Sequence, residues 1–282
     1  MKQEAADRSG AGGAGGVWAT AVLWLLGAAF ALPMVWMVMG SLRATPGADA
    51  GSVAERAAQN YGEVWTGTTA DFPLYLRNSL VVAGLSTIGM VAASAVAAFG
   101  LSRLRWRGRE TVFVVVLATL MIPGPVLVAP QYILMKEMGL IGTLAPLWVP
   151  AWFGGAFSVF LLRQFFLGIP RELDEAARLD GCSTFGVFWR VVLPLSKPAL
   201  ASAALFQVVA SWNDFLGPLV FLNHRELYTL PLGLQQYQSQ HGGTPWNLVM
   251  AATTLTVVPV LVMYAVLRRG FVAGSGTEGL KE

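Results

Sequence analysis

Residues able to do chemistry are few in this chain, and most stand in patterns that fail. A loop that cradles nucleotide phosphates ends in Gly-Lys-Ser/Thr, and none of the four lysines (Lys2, Lys136, Lys197, Lys281) follows a glycine. Any ATP must therefore be handled by another subunit. Gly274-Ser275-Gly276-Thr277-Glu278-Gly279 fits the dinucleotide pattern GxGxxG, but no strand precedes it and the sequence runs only three residues further, so it reads as chance. His224 and His241, the only two histidines, lie in a loop with few carboxylates and no cysteine, and a metal needs three or four converging ligands. No metal site and no bound cofactor is expected. The lone Cys182 cannot form an internal disulfide and reads as a small packing residue. One stretch remains. Between Ile169 and Pro194, Glu172, Asp174, Glu175, Arg178 and Asp180 crowd together, a pattern suited to docking and not to bond-making.

The elements that carry this stretch are set by composition. Of the 282 residues, 55% are hydrophobic and 12% charged, about half the charged share of a soluble domain. Charge-free runs cover Val17–Leu42, Asn78–Ser102, Thr111–Met135 and Met138–Leu162; a fifth starts at Pro198, is interrupted by Asp214 and continues to Asn223, and a sixth covers about Asn247–Leu267. Each is long enough for the roughly 20 apolar residues that cross a ~30 Å hydrocarbon layer. Inside lipid only helices and closed barrels satisfy the backbone, and these runs are too uniformly apolar to alternate as barrel strands. The expected fold is an all-α polytopic membrane protein with six transmembrane helices, its prolines (Pro33, Pro123, Pro125, Pro146, Pro218, Pro259) producing kinks and not breaks. Gly89, Ala93 and Ala97 form a small-residue stripe for close packing.

Ala48-Asp49-Ala50 has the small-x-small form of a signal cleavage site, but the apolar run before it far exceeds a signal core, so the first helix is expected to stay attached. All but Arg43, Arg56, Arg77, Lys136 and Arg225 of the 19 Lys and Arg residues fall in segments that are internal when the N-terminus is internal, which predicts that both termini are cytoplasmic. The net charge of +3 is explained by anionic lipid headgroups and requires no nucleic acid.

The loop at 168–198 carries its own start and stop signals. Pro170 suits a first helical turn, the acidic Glu172, Asp174 and Glu175 suit the positive end of a helix dipole, and Gly181 suits a left-handed cap. A second short helix is expected from Ser183 or Thr184 to Val192, ending before Pro194. Helical spacing places Leu173, Ala176, Ala177 and Asp180 on one face, with Arg171, Asp174, Glu175 and Arg178 mostly on others. Such a segment acts either as a solvated amphipathic helix or as a docking element for a cytoplasmic partner.

Glu175-Ala176-Ala177, Asp180-Gly181 and Leu193-Pro194 resemble the EAA loop of binding-protein-dependent ABC importer permeases. Tyr75-Leu76-Arg77-Asn78-Ser79-Leu80 and Gly139-Leu140-Ile141-Gly142-Thr143 resemble other parts of that family, and Trp212–Pro218 and Tyr228–Leu234 resemble its carbohydrate branch, the maltose-type second permease within the MetI-like superfamily. The resemblance implies a type I importer transmembrane domain with a cytoplasmic tail over 1–16, a first membrane helix over 17–42, an external loop over 43–74, a permease core over 75–267 and a C-terminal cytoplasmic tail over 268–282. It implies ATPase-coupling roles for Leu173, Glu175, Ala176, Ala177, Arg178, Asp180, Gly181, Phe188 and Pro194. It further implies a second permease subunit, two ATPase subunits carrying ATP and Mg, an external sugar-binding lipoprotein and a place in the inner membrane. A neutral sugar is held by aromatic faces and hydrogen bonds, which makes Trp148, Trp152, Phe153, Trp212, Asn213 and Asp214 candidates for its pathway. Asn213 and Asp214 have a competing role, bonding nearby backbone where Gly217 and Pro218 disturb the helix.

Overall fold

The computed structural model describes residues 14–44, 51–67, 69–238 and 243–272, which form helices and, among these residues, no strand. Helix α1 (Ala14–Ser41) is apolar all round, with Trp18, Trp24 and Phe30 exposed, and lies against the last helix. An all-apolar surface of this length belongs in lipid. The expected flexible segment over 1–16 is partly helical, since α1 already includes residues 14–16; the Ala48-Asp49-Ala50 site lies outside the described residues.

Helix α2 (Val53–Thr66) crosses the segment read as an external loop. Ser52 accepts from the Glu55 amide and the Glu55 carboxylate accepts from the Ser52 amide, a capping box that fixes its start. Its buried Asn60 donates to the Ser41 and Arg43 carbonyls and accepts from the Asn247 side chain, tying α1 and α2 to the last helix.

Helix α3 (Phe72–Ser102), started by Asp71 accepting from the Leu74 amide, is the axis against which the other central helices pack. The third apolar run, expected as one kinked span, is two helices. Helix α4 (Arg109–Ala118) ends in a tight turn at Thr119–Met121, and α5 (Gly124–Glu137) leaves at 101°. Pro123 forces Ile122 out of the helical region to ψ 117°, and Pro123 and Pro125 have no N–H to continue the ladder. The fourth run begins later than expected. After turns in which Gly139 (φ +68°) and Gly142 (φ +79°) take the left-handed conformation come α6 (Ala145–Trp148), a tight turn at Val149–Phe153, and α7 (Ala156–Gly168).

Two short helices, α8 (Glu172–Leu179) and α9 (Thr184–Val187), precede a wide π turn at Phe188–Val192 and α10 (Leu193–Leu195), and a 77° bend leads into α11 (Lys197–Trp212). The fifth run breaks after Trp212 and resumes as α12 (Leu216–Phe221); α13 (Leu230–Gly233) lies in the loop before α14 (Trp246–Val272). Helix α14 runs past the expected limit at Leu267, and Gly274–Gly279 and His241 lie outside the described residues.

Among the described residues four helical segments are long and apolar enough to span a bilayer, and up to six when each of two bent pairs is one span. The core has two poles. At the end carrying α8, Ala95, Ala98 and Phe99 of α3 pack on Leu162 and Phe166 of α7 and on Val187, Phe188, Val192 and Ala203. At the opposite end Phe72, Tyr75 and Ala83 pack on Val64, Trp212, Leu230, Tyr237 and Ala251.

Candidate functional site

The α8–α9 pair is built by local signals. Pro170 stands just outside the first turn, with Arg171 at the cap position; Glu172, Asp174 and Glu175 occupy the acidic start. At the far end Gly181 takes φ +84°, and the Cys182 amide donates to the Ala177 carbonyl at 2.9 Å, the bond of a left-handed helix stop. Ser183 then accepts from the Gly186 amide and starts α9. The second helix does not end before Pro194 as expected. Its π turn absorbs the missing proline N–H, and the helical path continues to Leu195.

The face that helical spacing offered for docking is largely open. Leu173, Ala176 and Asp180 are exposed, Ala177 packs against the core, and Asp174 is buried. Glu175, Arg178 and Gly181 also face outward, as does Leu179, 89% exposed, and Phe185 of α9 is exposed as well. Phe188 is buried against Phe99 with ring centroids 4.9 Å apart, so it is a core residue linking α9 to α3, and Pro194 is exposed.

Asp174 is buried because Arg103 neutralises it. The Arg103 side chain, 3% exposed, places Nη1 at 3.1 Å from the Asp174 carboxylate, while Nη2 donates to the Phe166 carbonyl at 2.6 Å and to the Ile169 carbonyl at 2.7 Å. Burial pulls its pKa below the ordinary arginine value, and the Asp174 carboxylate opposes that shift. A second guanidinium works in the reverse direction. Arg163 of α7 donates through Nε to the Leu101 carbonyl of α3 at 3.1 Å, holds both Glu110 carboxylate oxygens of α4 at 2.9 and 2.8 Å, and lies 3.9 Å above the Phe113 ring. Arg103 thus caps the end of α7 while Arg163 caps the end of α3, meeting carbonyls that a helix end leaves unsatisfied. A crevice of about 310 Å³ opens beside this clasp, lined by Arg103, Arg105, Arg171, Asp174, Glu175 and Arg178. Sequence reading missed Arg103, Arg163, Glu110 and Asp174. The available signal was an arginine at the edge of, or inside, an apolar run, where an unpaired charge is costly.

The pathway candidates separate into two places. Trp148 and Trp152 meet edge-on with centroids 6.2 Å apart, and Phe153 beside them is 86% exposed. The Trp152 indole donates to the Leu85 carbonyl and lies over Gly89, so the small-residue stripe of α3 receives an indole from the Val149–Phe153 turn. Trp212, only 2% exposed, is a correction. It fills the core next to Phe72 and Tyr75 and lines no open surface of the chain. Asn213 donates to the Val209 carbonyl and Asp214 accepts from the Gly217 amide, local bonds that organise the break between α11 and α12. Among the described residues no three His, Cys, Asp or Glu side chains converge on a possible metal position.

Segments separated by some 150 positions meet at the opposite end. Asn78 donates to the Glu226 and Tyr228 carbonyls, and the Ser79 hydroxyl accepts from the Leu230 amide.

Comparison with known proteins agrees with this architecture. Residues 86–273 match the family described as "Binding-protein-dependent transport system inner membrane component". The trehalose/maltose transport system permease protein of Thermococcus litoralis is 33% identical over 253 residues, covering 88% of this chain and 91% of that protein. The sn-glycerol-3-phosphate transport system permease protein of Yersinia pestis is 34% identical over 221 residues, covering 77% and 78%. In fold, a bacterial ABC transporter involved in the import of alginate superposes with TM-score 0.77 at 21% identity, over 90% of this chain and 95% of that one. The matched family region covers α4 to α14 and the C-terminal half of α3, the elements that build the pole carrying α8 and part of the opposite one, and the chain belongs to the inner membrane components of binding-protein-dependent transport systems.

Proposed function

We propose that this chain forms half of the membrane pathway of a sugar importer and that α8 and α9 dock into a separate ATPase subunit on the cytoplasmic side. The observation that carries the docking is the exposure of Leu179 at the end of charged α8 and of Phe185 on the adjoining α9. Exposed large apolar side chains ringed by charge mark a surface that a partner covers. Closure of the ATPase pair around ATP and Mg pushes α8, and the bundle alternates between inward-open and outward-open states. The remaining parts are a second permease subunit and an external sugar-binding lipoprotein. The chain itself hydrolyses nothing, and both termini are cytoplasmic.

A neutral cargo is supported by the use of the buried guanidiniums. Arg103 and Arg163 tie helix ends together at the α8 pole, which leaves Trp148, Trp152 and Phe153 as an aromatic, uncharged surface. A phosphorylated polyol would require a cation to pair with its phosphate. Uptake of labelled di- and oligosaccharides against labelled glycerol 3-phosphate, in proteoliposomes holding the complete importer, separates the two.

Glu175→Lys and Leu179→Asp, made singly, are expected to reduce co-purification of the ATPase at least tenfold while the chain still inserts in the membrane. Unchanged co-purification would exclude α8 as the docking helix. The isolated chain in liposomes is expected to show neither ATP hydrolysis nor gradient-driven uptake; gradient-driven uptake would identify an ion-coupled transporter.

A further inference from the structure

In the reading above α8 receives the push of the ATPase, but an eight-residue helix in a loop transmits force only if it cannot swing independently. The loop ends by themselves do not hold it. Residues 169–171 precede it and Asp180 to Ser183 follow it, both without regular structure. Besides the packing of Ala177 on the core, what joins it to the bundle is the buried pair. Arg103 leaves the last turn of the longest helix, α3, and meets three groups at once: the Asp174 carboxylate of α8 and the Phe166 and Ile169 carbonyls at the end of α7. Arg163 returns the bond from α7 to the Leu101 carbonyl of α3 and continues to Glu110 of α4.

We infer that Asp174 is a positioning residue which, through Arg103, locks α8 to α3 and α7, so that displacement of α8 is delivered to the bundle as one rigid body. The proposal rests on α8 being the ATPase contact, and it adds a role to a residue buried within the chain. Geometry supports the lock in three ways. The pair is shielded from water, with side chains 3% and 12% exposed, so salt screens it weakly. Arg103 has two further acceptors, so its position is fixed whether or not Asp174 is present. Asp174 has no other hydrogen-bond partner, its second oxygen Oδ1 meeting none, so the polar link from the α8 side chains to the bundle runs through this one contact, beside the apolar packing of Ala177. Removing one partner of a buried pair leaves the other charge uncompensated, which lowers the population of the locked position on the order of a hundredfold.

The test uses the assembled importer with the lone Cys182 replaced by serine and spin labels at Glu172→Cys, an exposed first-turn position of α8 outside the proposed docking surface, and Leu80→Cys on α3. Pulsed electron paramagnetic resonance gives the distance between them with and without AMP-PNP. The expected result is a single narrow distance, unchanged by nucleotide. In Asp174→Asn the ATPase still co-purifies, but the distance broadens or shifts with AMP-PNP, and Asp174→Glu restores the narrow peak. A narrow, nucleotide-independent distance in Asp174→Asn overturns the inference, as does failure of Asp174→Glu to restore it. A broad distance in the protein with Asp174 and Arg103 intact overturns it without reference to any variant. Loss of ATPase co-purification from that same protein would instead remove the docking reading, leaving the distance to report on the lock alone.

Discussion

Gly89 shows how little freedom a single position has in this chain. A methyl group there would overlap the Trp152 indole, whose N–H is already committed to the Leu85 carbonyl. Gly89→Val is therefore expected to destabilise the protein by about 1–3 kcal/mol through overpacking, seen as a lower Tm in detergent. Trp152→Ala combined with Gly89→Val should lose less than the sum of the two, because the residues touch. Gly89 was legible as a small packing position, whereas the indole that fills it was not, since nothing local links Trp152 to α3. The same limit hid Asp174. Its place among charged neighbours reads as a solvated face, and only the folded chain brings Arg103, 71 positions away, against it. Trp212 shows the opposite failure, an aromatic in a plausible pathway motif that the fold uses to fill its core.

At the scale of elements, α8 was the most legible because its signals are local. Acidic residues at its start and a left-handed glycine at its end act over single turns, and Gly181 adopts φ +84° as that role requires. A β-branched residue pays heavily for that conformation, so Gly181→Val is expected to destabilise the α8 stop by about 1–3 kcal/mol and to weaken ATPase co-purification, with Gly181→Asn milder. Co-purification assays on both variants check the order; equal effects would mean that the left-handed turn is not what positions α8. The apolar runs were legible as runs but not as directions. Hydropathy measures how comfortable a residue is in lipid and says nothing of the path, so the 101° turn at Ile122 and the tight turn at Val149–Phe153 escaped it. Prolines beside an extended residue, as at Ile122-Pro123, are the feature that distinguishes a break from a kink.

For the whole molecule, the proposed orientation places α8 and the loop before α14 on opposite sides of the bilayer. In a Cys182→Ser background, Glu172→Cys should react with a membrane-impermeant maleimide only after the cytoplasmic face is opened, and His224→Cys should react from outside in sealed cells; both sites are exposed. The reverse pattern would invert the topology. The abrupt turn between α4 and α5 has a consequence of its own. At 1.5 Å per residue the stretch from Arg109 to Met121 reaches only about 20 Å into a ~30 Å layer before it veers away. There Pro125 offers the Met121 carbonyl no amide hydrogen, whereas the Thr119 carbonyl, which Pro123 cannot serve, is met by the Ile122 amide. Hydrocarbon cannot hydrate the Met121 oxygen, so at this depth water or another polypeptide must stand where acyl chains would otherwise lie.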